Sequence, residues 1–193
     1  MFNLSEKMSE KTFKTLTTIQ KVLLIISAVA SVIFDIRYVL TVGRVDDVAI
    51  SNLAYAAALI CGFIYATKNY SKQANTYYKA MLFLYALSVI FPIVSLIRSS
   101  GFSLAFLDCV ARFVLLLVLG FGKDLGEKNT WIIFYVYVAL ELLAAPLSIM
   151  AGNHSLSSPV ALGGYVVVRL IDAGILGLCI LAKYRDKRTR ESQ

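Results

Sequence analysis

Six uninterrupted apolar segments, each long enough to cross a membrane, constrain this 193-residue sequence more than any other feature. They occupy residues 22–42, 48–67, 78–97, 102–122, 131–151 and 160–182. About 20 helical residues cross a hydrocarbon core that is roughly 30 Å thick. The segments are continuously apolar and too long for barrel strands, and a helix satisfies its own backbone hydrogen bonds inside lipid. We therefore predict an all-α polytopic integral membrane protein with six transmembrane helices.

The composition excludes most soluble classes of protein. Apolar side chains make up 59% of the sequence and charged ones 16%, whereas ordinary soluble domains carry about 25% charged residues. The segments between the apolar runs are short and contain no G-x-x-x-x-G-K-[ST] motif, so neither a nucleotide-binding domain nor a P-loop is predicted. The net charge of +7 has no folded basic surface on which to bind nucleic acid. The predicted surrounding is the lipid bilayer.

The distribution of lysine and arginine predicts the orientation of the chain. Fourteen basic residues lie in the two tails and in the second and fourth loops, against two or three in the other loops. Basic residues accumulate on the cytoplasmic side of membrane proteins. We therefore expect both termini to be cytoplasmic, in a plasma (cytoplasmic) membrane.

The predicted organisation is one helical domain between two polar tails. Residues 1–21 form a cytoplasmic tail, with an interfacial helix as one option. Residues 22–182 form the transmembrane domain, and residues 183–193 form a basic cytoplasmic tail. The tetrapeptide Ser-Val-Ile-Phe occurs at 31–34 and again at 88–91. That repeat is compatible with three duplicated helical hairpins, and equally with chance.

Ionisable side chains inside the apolar segments are the most informative feature for function. Each costs roughly 3 kcal/mol near the centre of an isolated helix, so Arg112, Glu141, Arg169 and Asp172 would together cost about 12 kcal/mol if they faced lipid unpaired. We therefore expect them to face the bundle interior, one another, or water. The candidate substrate-binding residues that follow are Arg112, Glu141, Arg169, Asp172, Asp108, Asp35 and Arg98.

The spacing of these charges predicts pairing along two helices. Asp108 and Arg112 are four residues apart, and Arg169 and Asp172 are three apart, so each pair shares one helix face. We expect the charges of helices four, five and six to converge around one cavity open to the outer face, with Asp35 and Arg98 at its mouth. The alternative is that acids and bases only pair with one another and specify the arrangement of the bundle.

Three functions are compatible with such a chain. The leading hypothesis is a small transporter or solute-binding membrane subunit, with a small polar or anionic solute as ligand and an energising or larger membrane complex as partner. The second is a membrane-embedded protease or transpeptidase that uses Cys109 with His154 as its base. The third is an accessory subunit of a larger membrane complex without a ligand. Because Cys61, Cys109 and Cys179 lie in different segments without a CxxC motif, neither a metal nor another cofactor is predicted.

Overall fold

The computed structural model of the protein describes residues 9–91, 93, 97, 104–122, 125–150 and 158–191. Within these residues every regular element is a helix, which confirms the predicted all-α class. The elements are α1 (Glu10–Val42), α2 (Asp47–Thr67), a 3-10 turn (Lys72–Ala74), α3 (Asn75–Ile90), α4 (Leu104–Phe121), α5 (Glu127–Met150) and α6 (Pro159–Glu191).

Five of the described helices, α1, α2, α4, α5 and α6, are long and apolar enough to cross a membrane. The chain is therefore a polytopic membrane protein. The remaining helix, α3, has 16 residues, and the predicted third segment, 78–97, continues over positions 92 and 94–96, which lie outside the described residues. The predicted segments 48–67 and 102–122 agree with α2 and α4 to within two residues.

The first and last helices are longer than the apolar segments that predict them. α1 begins at Glu10, where the Ser9 hydroxyl accepts the Thr12 N–H at 3.1 Å and so caps the helix. α6 continues from the apolar segment to Glu191. Each helix has 33 residues, which is about 50 Å at 1.5 Å per residue, more than a hydrocarbon core requires. Their polar ends therefore project beyond the membrane.

The helices form a ring in chain order. Each helix packs against the next, and α6 returns to pack against α1. Small residues allow close approach, because a Cβ at Gly62 of α2 would lie 2.9 Å from the Met81 sulfur, and one at Gly120 of α4 would lie 3.2 Å from the Leu82 Cβ. Such residues commonly support helix contact in lipid, where no hydrophobic force drives the helices together. α3 is thus packed closely against both α2 and α4.

A buried polar cluster lies at the end of the bundle that carries the α2–α3 turn. We define it by Gln20, Tyr70 and Cys179 and call it the Gln20 cluster. The Gln20 Nε2 donates to the Ile175 carbonyl at 2.9 Å and to the Cys179 sulfur at 3.1 Å, while its Oε1 accepts the Tyr70 hydroxyl at 2.5 Å. Gln20 is fully buried. The cluster therefore joins α1, the α2–α3 turn and α6 with every polar atom of the amide paired.

The outer surface of the bundle is apolar. On α1, Phe34 is 71% exposed and Leu40 is 79% exposed. A groove of about 350 Å³ between α1 and α2 is lined by apolar side chains, among them Leu24, Ile33 and Phe63. Such a surface is stable against acyl chains and unfavourable in water, so these helices contact the lipid bilayer.

Candidate functional site

Arg112 pairs with two carboxylates inside the bundle. Its Nη2 lies 2.8 Å from the Asp108 Oδ2, and its Nε donates to the same oxygen at 2.9 Å. Its Nη1 donates to the Glu141 Oε1 at 3.0 Å. Asp108 lies one helical turn before Arg112 on α4, and Glu141 comes from the adjacent helix α5. The predicted pairing of Asp108 with Arg112 is confirmed.

Glu141 carries the chain of ion pairs onward to α6. The Nε of Arg169 lies 3.2 Å from the Glu141 Oε2, and its Nη1 donates to the Asp172 Oδ2 at 3.5 Å. Five ionisable side chains thus alternate in sign across three helices. We call this set the charge network; its members are Asp108, Arg112, Glu141, Arg169 and Asp172.

Tyrosine side chains complete the charge network. The Tyr137 hydroxyl donates to the Glu141 Oε1 at 2.9 Å, and the Tyr55 hydroxyl donates to the Asp172 Oδ1 at 2.6 Å. The Tyr165 hydroxyl donates to the Glu141 carbonyl at 3.1 Å, and its ring lies 5.0 Å from the guanidinium carbon of Arg169. Through Tyr55, helix α2 is tied to the same site.

The two arginines of the charge network lie near the middle of their membrane-spanning segments. Arg112 is eight residues from the start of α4 and Arg169 is ten residues from the start of α6. At 1.5 Å per residue these positions are about 12 Å and about 15 Å from the helix ends, close to half of a 30 Å hydrocarbon core. A charge at this depth is stable only when it faces partners or water rather than lipid.

Burial differs between the members of the charge network. The three carboxylates are all buried, at 4% exposure for Glu141, 6% for Asp108 and 8% for Asp172. The Arg112 side chain is 12% exposed, whereas the Arg169 side chain is 31% exposed. The Arg169 side chain is therefore the most exposed of the five, although its Nε is buried. Its N–H fork suits bidentate contact with a carboxylate or phosphate.

The structure brings together five of the seven predicted site residues. Of the two others, Arg98 lies outside the described residues. Asp35 is on α1, where its Oδ1 is shielded and accepts no hydrogen bond from the described part of the chain. Tyr55 and Tyr137 were not among the predicted residues. Tyr137 stands four residues before Glu141, a spacing that would have indicated it, but Tyr55 is distant in sequence and no signal pointed to it.

The geometry around Cys109 favours a packing role for its thiol. The side chain is buried, at 3% exposure, and its sulfur donates to the Val89 carbonyl at 2.6 Å. His154, the predicted base, lies outside the described residues. Among the residues that are described, no group of three or more His, Cys, Asp or Glu side chains is placed to hold a metal ion.

A second carboxylate of interest lies in the loop between α1 and α2. Asp46 caps α2 by accepting the N–H groups of Val48 and Ala49 at 3.1 and 3.2 Å, and it also accepts the Tyr38 hydroxyl at 2.8 Å. The Tyr38 hydrogen bond, together with the two backbone donors, holds the pKa of Asp46 below its ordinary value. This carboxylate thus fixes the start of α2, the helix that carries Tyr55.

The charge network can act on a solute in two chemical ways. Its guanidinium groups can bind a carboxylate or phosphate, and its carboxylates can receive an amine or a proton. These are properties of the side chains and their positions.

The chain matches no protein-family model, no curated protein and no solved structure.

Proposed function

We propose that this protein is a small multi-pass transporter or solute-binding membrane subunit, and that the charge network is its polar site. The observation that carries the proposal is the ion pairing of five charges within the membrane-spanning helices, with the Arg169 side chain partly exposed among buried carboxylates. Intramembrane ionisable residues are rare because they are costly, and they commonly mark ion or solute pathways.

The proposed solute is small and polar or anionic. Arg169 reaches its carboxylate partners at 3.2 and 3.5 Å, distances longer than the 2.8 to 3.0 Å contacts of Arg112. A guanidinium held this loosely can exchange a protein carboxylate for one on a solute. Arg169 is therefore the proposed first contact for the solute, and Glu141 is the group that keeps Arg169 in place.

The proposed orientation places access to the site on the outer side of a plasma membrane, with both termini cytoplasmic. Its support is the basic asymmetry of the loops. Asp35 and Arg98 belong to loop-side segments at that end and are proposed to lie at the mouth of the site.

A thermal-unfolding screen tests the proposal. The purified protein in detergent is heated with a panel of small carboxylates, phosphates, amines and amino acids, because a ligand that binds only the native state raises the unfolding temperature. We expect at least one compound to stabilise the wild type and to lose this effect in Arg169→Ala. Leu170→Ala, at the neighbouring 52% exposed position, is the matched control that keeps the effect.

Two results would contradict the proposed function. One is that no member of the panel raises the unfolding temperature of the wild type. The other is that stabilisation persists in both Arg169→Ala and Glu141→Gln. In either case the charge network is a set of structural ion pairs, as in an accessory subunit.

A further inference from the structure

The charge network contains an odd number of charges. Three carboxylates, those of Asp108, Glu141 and Asp172, contact two guanidinium groups, those of Arg112 and Arg169. If all five groups were ionised, the network would carry a net charge of −1, and no further cation among the described residues forms an ion pair with it. A buried, unpaired charge in a low-dielectric interior is costly enough that the group usually neutralises by taking up a proton.

The three carboxylates differ in the number and length of the cationic contacts that stabilise their ionised forms. Glu141 receives both arginines, at 3.0 and 3.2 Å, and the Tyr137 hydroxyl at 2.9 Å. Asp108 receives two contacts from one guanidinium, at 2.8 and 2.9 Å, both on its Oδ2, while its Oδ1 is buried and has no hydrogen-bond partner among the described residues. Asp172 has a single cationic contact, and at 3.5 Å it is the longest in the network. Charge-assisted hydrogen bonds stabilise the ionised form, so the proton belongs on Asp172.

The other oxygen of Asp172 faces hydroxyl groups rather than cations. The Tyr55 hydroxyl contacts the Asp172 Oδ1 at 2.6 Å. The ring of Tyr85 on α3 packs edge to face on that of Tyr55, with centroids 5.5 Å apart, and its hydroxyl has no hydrogen-bond partner among the described residues. Tyr85 is only 4% exposed. The Asp172 Oδ1 therefore contacts a neutral hydroxyl, which does not compensate a carboxylate charge as a guanidinium does.

We propose that the Asp172 carboxyl, which accepts the Tyr55 hydroxyl, carries an exchangeable proton, and that this proton is the ion coupled to solute binding. The coupling rests on the proposed function, whereas the proton itself does not. On release, the O–H bond of the carboxyl breaks and the proton passes to water. The carboxylate that is left then competes for Arg169.

This competition supplies a coupling mechanism. While Asp172 is protonated, Arg169 is neutralised by Glu141 alone and can bind an anionic solute. Once Asp172 is ionised, its charge shares the same guanidinium, which weakens the hold on the solute. Among the described residues, Tyr55 of α2 and Arg169 of α6 contact Asp172, and Tyr85 of α3 and Glu141 of α5 interact with it electrostatically. Asp35 of α1 forms neither an ion pair nor a hydrogen bond with it.

Infrared spectroscopy with isotope labels tests the site of the proton. The full-length protein, purified in lipid nanodiscs at neutral pH, is prepared with all aspartate carboxyl groups labelled with carbon-13 and glutamate unlabelled. Exposed carboxylates are ionised at this pH, so the protonated-carboxyl band reports buried groups. We expect a band at the labelled frequency in the wild type. In Asp172→Glu we expect that component to move to the unlabelled frequency, because the new carboxyl carries no label.

Asp108→Glu and Asp35→Glu are the matched controls, since each makes the same change on another transmembrane helix. Neither should move the Asp172 component. If Asp172→Glu does not fold, a labelled protonated-carboxyl band that stays in place in both controls supports the proposal, because it excludes Asp108 and Asp35 as the source of the band. A component that moves in Asp108→Glu, a band already at the unlabelled frequency in the wild type, or no band at all would overturn it. The measurement needs no solute, so its outcome is independent of the thermal screen.

Discussion

Arg112 is the most enclosed cation of the charge network. Its side chain is 12% exposed and has carboxylate oxygens within 3.0 Å on both sides, from Asp108 and Glu141. A buried ion pair adds little net stability over a well-packed apolar pair, but removal of one partner leaves the other charge unpaired. The Arg112 ion pairs therefore add little to the stability of the bundle, but the loss of Arg112 would destabilise it because buried carboxylates would be left unpaired.

Replacement of Arg112 by alanine should destabilise the fold strongly. Arg112→Ala leaves Asp108 without its cation, and we expect a loss of about 3–5 kcal/mol in the free energy of unfolding. Unfolding in mixed micelles with increasing denaturing detergent measures it. Leu107→Ala, on the same helix at a 60% exposed position, should cost no more than about 0.5 kcal/mol. Equal losses in the two variants would show that Arg112 is not paired as described.

The ionisation of Asp46, in the α1–α2 loop, should make the stability of the fold depend on pH independently of the charge network. Because its pKa is lowered in the folded state by the Tyr38 hydroxyl and by backbone donors, the ionised form stabilises the fold. That contribution is complete above the unfolded-state pKa of about 3.9 and is lost as the pH falls through the folded-state value. Asp46→Asn keeps an oxygen that can cap α2 but does not titrate.

The comparison of Asp46→Asn with the wild type gives the measurement. We expect the difference in unfolding temperature to favour the wild type at pH 6 and to shrink steadily below about pH 4. Asp47→Asn, one residue further on, is the matched control. A difference that is constant over the whole range would mean that the charge of Asp46 contributes nothing to the fold.

The sequence predicted the charged members of the site better than its neutral ones. Arg112, Glu141, Arg169 and Asp172 are recognisable because a charge in an apolar segment is conspicuous, and spacing alone paired Asp108 with Arg112. The tyrosines are not conspicuous, since an aromatic ring suits both lipid and protein. Which helices are neighbours depends on the packing of the whole bundle, so the bridge from Glu141 to both arginines could not be derived from spacing.

The Gln20 cluster holds three elements together at one end of the bundle. Gln20 spans α1, α6 and the α2–α3 turn through three hydrogen bonds and is fully buried. Tyr70 adopts φ of 57°, the left-handed region that bulky residues rarely occupy. Its burial and its bond to Gln20 must offset that backbone cost. The Gln20 cluster is therefore maintained by tertiary packing against the unfavourable backbone conformation of Tyr70.

A double-mutant cycle tests the Gln20 cluster. Tyr70→Phe removes the hydroxyl and leaves the Gln20 Oε1 buried without a partner, which should cost about 1–3 kcal/mol. Gln20→Leu removes the acceptor itself. We expect Tyr70→Phe to cost less in the Gln20→Leu background, with a coupling free energy of about 1 kcal/mol in the unfolding measurement. Additive losses would mean that the two side chains act independently.

Helix positions were predictable from the apolar segments, while helix ends were not. Hydropathy indicates which residues lie within the lipid. α2 and α4 are hardly longer than their apolar segments, so their bounds agree with the prediction. α1 begins before its apolar segment and α6 continues after its own, because the lysine, glutamate and threonine residues there are compatible with helix and no proline or glycine interrupts them. An apolar segment therefore predicts a membrane span rather than a complete helix.

For the whole molecule, the distribution of basic residues predicts which side of the membrane each loop faces. Two variants that each add one cysteine test the orientation, at Arg44 in the α1–α2 loop and at Lys68 in the α2–α3 turn; both positions are exposed. In intact cells, a membrane-impermeant maleimide should label Arg44→Cys alone, and Lys68→Cys should react only after permeabilisation. The parent chain, with its three cysteines in the membrane domain, is the background control. Labelling of both positions from one side would contradict the topology.

The central claim is that the charge network binds a solute rather than only pairing with itself. The most direct measurement is uptake of a stabilising compound from the thermal screen into proteoliposomes by wild type, Glu141→Gln and Leu143→Ala, the last being 51% exposed on the same helix. Glu141→Gln removes the charge that positions both arginines, so we expect uptake to fall at least about tenfold, equivalent to about 1.4 kcal/mol. Leu143→Ala should transport like the wild type. Undiminished uptake by Glu141→Gln, at equal amounts of folded protein, would contradict the claim.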